Sequence, residues 1–198
     1  TQEYLPSYAI EQIVEVLNPA KISIREKALG IIDKYMRSNE EIRIQYASKF
    51  ARVANYWKKW IGESMGLKKT KAIEKKQDFE RLFESKIGDG SPYSGLLGEF
   101  EELYTQRAPY AYVRDYYSEL TGRNIELMRV YRAMARLVNA YENNGEYSFN
   151  NYKERVLPNL ESFYKDYRPE IDREVFIALC EMYKENVDKK YVPEKLAN

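Results

Sequence analysis

The chain has 198 residues, of which 44% are apolar, 32% charged and 14% aromatic, a composition typical of a folded domain and not of a disordered segment. Its 32 Lys and Arg residues nearly balance 31 Asp and Glu, so no strong overall charge attracts it to nucleic acid or to an anionic membrane. The absence of histidine excludes a serine-histidine-aspartate triad and histidine-ligated metal within these residues. We therefore expect no cofactor and no metal.

The start of the chain and its apolar runs bear on how the chain is organised. No stretch approaches the roughly 20 apolar residues that a membrane-spanning helix needs, so we expect no membrane span. The chain begins with Thr1 and carries no signal-peptide pattern at that end. We expect it to be a piece of a longer protein.

Helical periodicity dominates the first part of the chain. A first helix is predicted over residues 7–17, ended by Asn18 because the following Pro19 disfavours helical backbone at the residue before it. A second helix extends to about Arg37, with its apolar residues three and four apart. A third begins near residue 41.

The start and the interior of the third helix carry further signals. Ser38 and Glu41 have the spacing of a capping box, in which each side chain bonds the other's backbone. The apolar pattern continues to Ile61, and Gly62 and Gly66 predict a break or kink. The pattern resumes over residues 73–83.

The second part of the chain is divided from the first by the clearest loop in the sequence. Residues 88–92 read GDGSP, a cluster typical of a connection between helices. Four further helices are predicted after it, over residues 96–120, 127–141, 152–167 and 169–187. The sequence therefore predicts an all-α fold of seven or eight helices in antiparallel hairpins, as one helical domain over residues 1–198 with two halves on either side of the loop.

Charge and aromatic residues leave two interpretations open. Residues 41–86 carry a net charge of +6, and Lys58 and Lys59 lie beside Trp57 and Trp60, which is compatible with a nucleic-acid groove. A solvated helix face with its aromatic rings turned inward is the favoured interpretation, because the rings fall on the apolar stripe. Most of the 19 tyrosines recur at helical spacing and are expected to fill the space between helices, although such a surplus also suits a peptide-binding surface.

One segment carries a family resemblance. Residues 47–64 read ASKFARVANYWKKWIGES, which resembles the signature stretch in the helical domain of the bacterial dipeptidyl peptidase 7 and 11 family. These are serine exopeptidases of chymotrypsin fold. The opening TQEYL, the segment around Asn18 and Pro19, and residues 163–173 are similar to the same family.

The resemblance implies a fold and a function for the whole chain. In this family a helical domain is inserted in a peptidase domain, and the catalytic serine, histidine and aspartate lie outside the helical domain. The chain would then cap the cleft of an enzyme that removes dipeptides from free N-termini of oligopeptides, in the periplasm or at the cell surface. Its partners would be the oligopeptide substrate and the barrel domain of the same parent chain, and it would hold no catalytic residue itself.

Asn55 is the candidate for contact with substrate. An exopeptidase must recognise an α-ammonium group, and an amide oxygen can accept a hydrogen bond from it without adding a charge. Asn55 lies in the family-like core of the segment, and the family places a helical-domain asparagine near the substrate's N-terminus. The alternative is that Asn55 is a buried amide satisfied by neighbouring helices.

Three classes of function stay open from the sequence. The peptidase lid is favoured, an autonomous helical scaffold for protein interactions is second, and an oligonucleotide-binding module that uses the basic run over residues 41–86 is third.

Overall fold

The computed structural model describes residues 4–88 and 90–194, and within them the chain is helical with no strand. The all-α prediction is confirmed. The elements are α1 (Ser7–Gln12), a π-helical turn (Ile13–Leu17), α2 (Asn18–Ser38), α3 (Glu40–Lys69), α4 (Ala72–Lys86), α5 (Leu96–Ser118), a second π-helical turn (Glu119–Arg123), α6 (Glu126–Asn143), α7 (Gly145–Asp166), α8 (Pro169–Asn186) and a 3-10 turn (Lys189–Tyr191).

The chain folds into two compact units. Unit 1 comprises residues 1–23 and 55–116, and unit 2 comprises residues 24–54 and 117–198. The boundaries therefore fall inside the long helices α2 and α3 and near the end of α5. The loop at residues 88–92 separates α4 from α5 in the sequence, but α4 and nearly all of α5 belong to unit 1.

Unit 1 is held together by polar contacts at the start of the chain. The carboxylate of Glu80, 5% exposed, accepts hydrogen bonds from the Ser7 backbone N–H at 2.8 Å and from the Tyr4 hydroxyl at 3.0 Å. The Ser7 bond satisfies a donor at the first turn of α1 that has no partner within the helix. The fully buried Asn18 donates to Glu63 Oε2 at 2.9 Å, which ties the start of α2 to α3.

Unit 2 has the deeper apolar core. Ile24 and Leu179 are fully buried, and Ile171 and Val175 are each 1% exposed. A buried ion pair lies beside this core, because the Arg25 guanidinium donates to both carboxylate oxygens of a single acid, at 2.8 and 3.0 Å. That acid is Glu119, in the second π-helical turn. The pair connects α2 to the segment that leads into α6.

The helix boundary predicted at Asn18 and Pro19 is wrong. Helical structure runs through both residues, from α1 through the π-helical turn into α2. The backbone N–H of Asn18 bonds to the carbonyl of Ile13, five residues earlier. A wider π turn relieves the crowding that a proline causes in the preceding turn of a regular α-helix, so helical structure continues through Pro19.

The predicted signals around α3 also need correction. The cap is Asn39, whose Oδ1 accepts a hydrogen bond from the Ile42 N–H at 3.1 Å, while the Ser38 hydroxyl donates back to the Tyr35 carbonyl. Gly62 and Gly66 both lie inside α3, which continues to Lys69. No break occurs at either glycine, since neighbouring turns supply enough helix-forming residues to carry the helix through them.

The expectation that most tyrosines fill inter-helix space is wrong for about half of them. Nine of the 19 are exposed, including Tyr131 at 67% and Tyr141 at 70% on α6. By contrast Tyr46, Tyr116 and Tyr183 are at most 2% exposed. Helical spacing identifies residues on the same face but does not establish that the face is covered.

Within the described residues, no helix combines the length and the apolar character that crossing a bilayer requires.

Candidate functional site

Asn55 lies in α3, and it is the first residue of the second of the two segments that form unit 1. Its side chain is exposed and makes no hydrogen bond with any residue in the described part of the chain. The alternative of a satisfied core amide does not hold, because a core amide would be buried. The amide is therefore available to a group outside the chain.

Among the aromatic residues near Asn55, Tyr56 is 48% exposed, whereas Trp60 acts in packing. Trp60 is 9% exposed, and the Lys21 ammonium lies 4.9 Å from the centroid of its ring. The Tyr56 and Trp60 ring centroids are 6.0 Å apart. Lys58 and Lys59 are exposed, so the basic residues lie at the surface while the Trp60 ring is buried. This arrangement favours a solvated helix face over a stacking surface for nucleic acid, because a stacking ring must be reachable by a base.

A second group of polar residues lies in unit 2 and was not identified from the sequence. The carboxylate of Glu126, 8% exposed, accepts from the Tyr46 hydroxyl at 2.9 Å. The Lys49 ammonium lies 3.0 and 2.9 Å from its two oxygens and also donates to the Asp166 carbonyl at 2.7 Å. We call Tyr46, Lys49, Glu126 and Asp172 the Glu126 cluster.

Asp172 in α8 joins this cluster by capping α6. Its two carboxylate oxygens accept from the backbone N–H groups of Glu126 at 2.7 Å and Leu127 at 3.0 Å. These are two of the donors that the first turn of a helix leaves without an intrahelical partner. The cap comes from a residue far away in the sequence, so the rule that looks for a capping residue just before a helix could not find it.

Burial sets the ionisation of this cluster. The pKa of Asp172 is raised above its ordinary value by burial, even though the two backbone hydrogen bonds act to lower it. Burial also raises the pKa of Tyr46, and the nearby Glu126 charge raises it further. Tyr167, which donates to Asp172 at 3.4 Å, has a pKa raised to about 12, first by burial and then by the Asp172 charge.

An open cavity of about 270 Å³ adjoins the cluster within unit 2. We call it the α6–α7 cavity, since those helices supply most of its wall and α3 supplies the rest. Four of its lining residues are charged, namely Lys49, Arg52, Glu126 and Arg129. Most of the others are apolar, namely Val130, Ala133, Val156, Leu160 and Phe163. Asn55 is not among its lining residues.

The arginines give the charged lining residues an excess of positive charge. Arg52 is exposed and forms no ion pair with any residue that the structure describes. Arg129 Nη2 lies 3.8 Å from Glu126 Oε2, which is a long ion pair, and its Nε is buried without a hydrogen-bond partner in the described residues. The pKa of Arg129 is lowered, first by burial and then by the positive charge of Arg52.

Comparison with known proteins assigns the family. The model of the family described as Peptidase S46 matches residues 1–197. The chain is 46% identical to an Asp/Glu-specific dipeptidyl-peptidase of Flavobacterium psychrophilum, over 100% of the chain and 28% of that protein. It is 31% identical to a dipeptidyl-peptidase 7 of Porphyromonas gingivalis, over 100% of the chain and 27% of that protein.

A solved structure shares the fold. The chain resembles Porphyromonas endodontalis DPP11 in complex with the dipeptide Arg-Glu, with a TM-score of 0.69, 19% sequence identity, and coverage of 99% of this chain and 28% of the other. The chain thus spans little more than a quarter of the length of the relatives it matches. Since the family model matches nearly every residue of the chain, the protein belongs to the Peptidase S46 family.

Proposed function

We propose that this chain is the substrate-capping helical domain of a serine dipeptidyl peptidase that releases dipeptides from the free N-termini of oligopeptides. Family membership and the names of its relatives support a dipeptidyl peptidase. The chain has no histidine, so the histidine of a catalytic triad would be supplied by another part of the parent protein. The periplasm or the cell surface is part of the same proposal.

The observation that carries the proposal is the exposed amide of Asn55, which has no hydrogen-bond partner in the described residues. In the proposed role its Oδ1 accepts a hydrogen bond from the α-ammonium group of the substrate. A neutral acceptor suits this task because it binds the cation without a charge that would itself have to be desolvated.

Anchoring the ammonium also accounts for the size of the product. If the first residue of the peptide is held at a fixed point, the bond that reaches the catalytic group lies a fixed number of residues away. The barrel of the parent protein would supply the nucleophile, base and oxyanion stabilisation. The helical domain would supply the anchor and exclude chains that have no free N-terminus at that point.

Asn55→Ala in the full-length protein tests the anchor. Loss of a charge-assisted hydrogen bond of about 1.5 to 3 kcal/mol lowers kcat/KM on free-amine substrates about 10- to 150-fold. Asn150→Ala is the matched control, since Asn150 is also an exposed helical asparagine, and it should leave kcat/KM within about twofold. Melting temperature is followed for both variants.

Substrates with a blocked amine separate anchoring from general damage. They lack the cation, so Asn55→Ala should hardly change whatever turnover they show. Unchanged kcat/KM for Asn55→Ala on free-amine substrates would remove the anchoring role and leave only a steric cover.

The chain alone is expected to be folded and without peptidase activity. Far-ultraviolet circular dichroism should show strong helical signal, and a fluorogenic dipeptide substrate should not be hydrolysed above background. Hydrolysis that survives repurification would contradict the proposal that catalysis resides outside these residues.

A further inference from the structure

We propose that the α6–α7 cavity binds a carboxylate carried on an apolar group, with Arg52 and Arg129 holding the carboxylate. This site is separate from the Asn55 anchor, and its occupant is recognised by different chemistry. The inference is carried by the excess of positive charge among the lining residues, by the position of Arg129 in the wall and by the apolar residues that line the rest of the wall.

The charges around the cavity compensate the two arginines only in part. Glu126 is the one acid among the lining residues, and its carboxylate is already bound by the Tyr46 hydroxyl and the Lys49 ammonium. Asp172 lines a smaller adjacent cavity, but its oxygens are bound by two backbone N–H groups. Among the described residues that line the cavity, three cations thus share one carboxylate, whose ion pair with Arg129 is long at 3.8 Å, so an anion in the cavity would meet an excess of positive charge.

The state of Arg129 shows what such an anion would gain. Its Nε is buried and has no acceptor among the described residues, which is a costly condition for a charged donor. The Arg52 charge acts against it as well. A carboxylate placed between the two guanidinium groups would offset their repulsion, and a guanidinium can present two parallel N–H groups to a carboxylate.

The apolar lining residues select for an apolar body behind the charge. Residues three and four apart on α6 present Val130 and Ala133 to the cavity, and α7 presents Val156, Leu160 and Phe163. The volume of about 270 Å³ is near the lower end for small-molecule sites, which suits one apolar group and not an extended chain. A bare inorganic anion would leave these apolar residues without a contact.

Two sources could supply this chemistry, a free organic acid or the C-terminal carboxylate of a peptide that ends in an apolar residue. Saturation-transfer NMR on the full-length protein compares the probes 3-phenylpropanoate and N-acetyl-Ala-Phe. Each probe is paired with a control compound in which its carboxylate is replaced by an uncharged amide. We expect 3-phenylpropanoate to bind with a Kd of about 1 mM or tighter. Tighter binding of N-acetyl-Ala-Phe would indicate a peptide end, and tighter binding of 3-phenylpropanoate would indicate a free acid.

The variants locate the binding. Arg52→Gln and Arg129→Gln should each weaken 3-phenylpropanoate binding about tenfold, while Arg136→Gln should change it less than twofold. Arg136 is the matched control because it is an exposed arginine on α6 that does not line the cavity. Arg52→Gln guards against misfolding, since Arg52 is exposed and has no ion-pair partner in the described residues.

A filled cavity gives an independent check. Ala133→Leu adds apolar volume to the wall and should abolish binding without changing the charge. The proposal is overturned if the amide probes bind as well as the acids, or if the three arginine variants weaken binding equally.

Discussion

Two polar residues of α3 before Ala54 differ sharply in burial and bonding from two polar residues after it. Before Ala54, Tyr46 and Lys49 are largely buried and both bond to the carboxylate of Glu126. After it, Asn55 and Lys58 are exposed, with no hydrogen bond to a described residue. Buried polar groups that are satisfied hold the fold in place, whereas exposed ones without a partner contribute little to it and are free to serve a ligand.

The largest loss of stability should come from a substitution that removes the shared acceptor of Tyr46 and Lys49. Glu126→Leu removes the acceptor of Tyr46 and leaves the Lys49 charge, 15% exposed, without its counter-ion. Removing one partner of a buried pair costs about 3 to 5 kcal/mol of unfolding free energy. Urea unfolding followed by circular dichroism measures it.

The control for this variant is Glu142→Leu. Glu142 is an exposed residue of α6, and its replacement should change the unfolding free energy by less than about 0.5 kcal/mol. Equal losses for the two variants would show that the Glu126 cluster does not stabilise the fold in the way that its burial indicates.

A smaller effect is expected from the pH dependence of Asp172. Its folded-state pKa is raised above the ordinary value by burial, so the folded state binds a proton more readily than the unfolded state. The stability that this group contributes is present below the unfolded pKa and is lost as pH rises through the folded pKa. Relative to Asp172→Asn, the native protein should therefore lose stability as the pH rises from about 3 through the folded-state pKa of Asp172.

The measurement is the melting temperature of both proteins across that range of pH. Comparing the slopes, not the absolute values, removes the effect of any hydrogen bond that the asparagine makes less well. A native protein that gains stability relative to the variant as pH rises would reverse the sign and contradict a raised pKa.

The smallest change in stability should come from a substitution of the exposed Asn55. Asn55→Ala removes no contact with a described residue and replaces asparagine by the best helix former, so the unfolding free energy should stay within about 0.5 kcal/mol of the native value. The same urea experiment measures it. A loss above about 1.5 kcal/mol would place Asn55 with Tyr46 as a structural residue and would remove the contrast between the two segments.

Much of the fold was predictable because helical periodicity is local. The break between α2 and α3 near Ser38 and the loop between α4 and α5 were both found from nearby residues. Predictions failed where a local rule met a compensating structure, as at Pro19, where a π-helical turn keeps the helix continuous. Asn39 replaced Ser38 as the cap for a similar reason, since both residue types can cap and the backbone geometry selects between them.

The candidate site was likewise predictable only in part from the sequence. The sequence pointed to Asn55 by resemblance, but its exposure could not be obtained from the α3 pattern, as the exposed Tyr131 and Tyr141 on α6 show for another helix. The α6–α7 cavity had no sequence signal. Arg52 and Arg129 lie on different helices, and no short motif relates residues that far apart in the chain.

By itself the sequence determined that this protein is helical, that a histidine-dependent triad cannot be built within it, and where most of its helices lie, because these properties depend on composition and on spacing within one turn. Only the tertiary structure decided which helix faces are covered and which polar groups meet. Glu126, Asp172 and Lys49 come from three different helices, and their contacts arise from the packing of those helices. The energy of a charge depends on its burial and on the groups that surround it, and neither can be obtained from sequence spacing. The roles of these residues could therefore be assigned only after the fold was known.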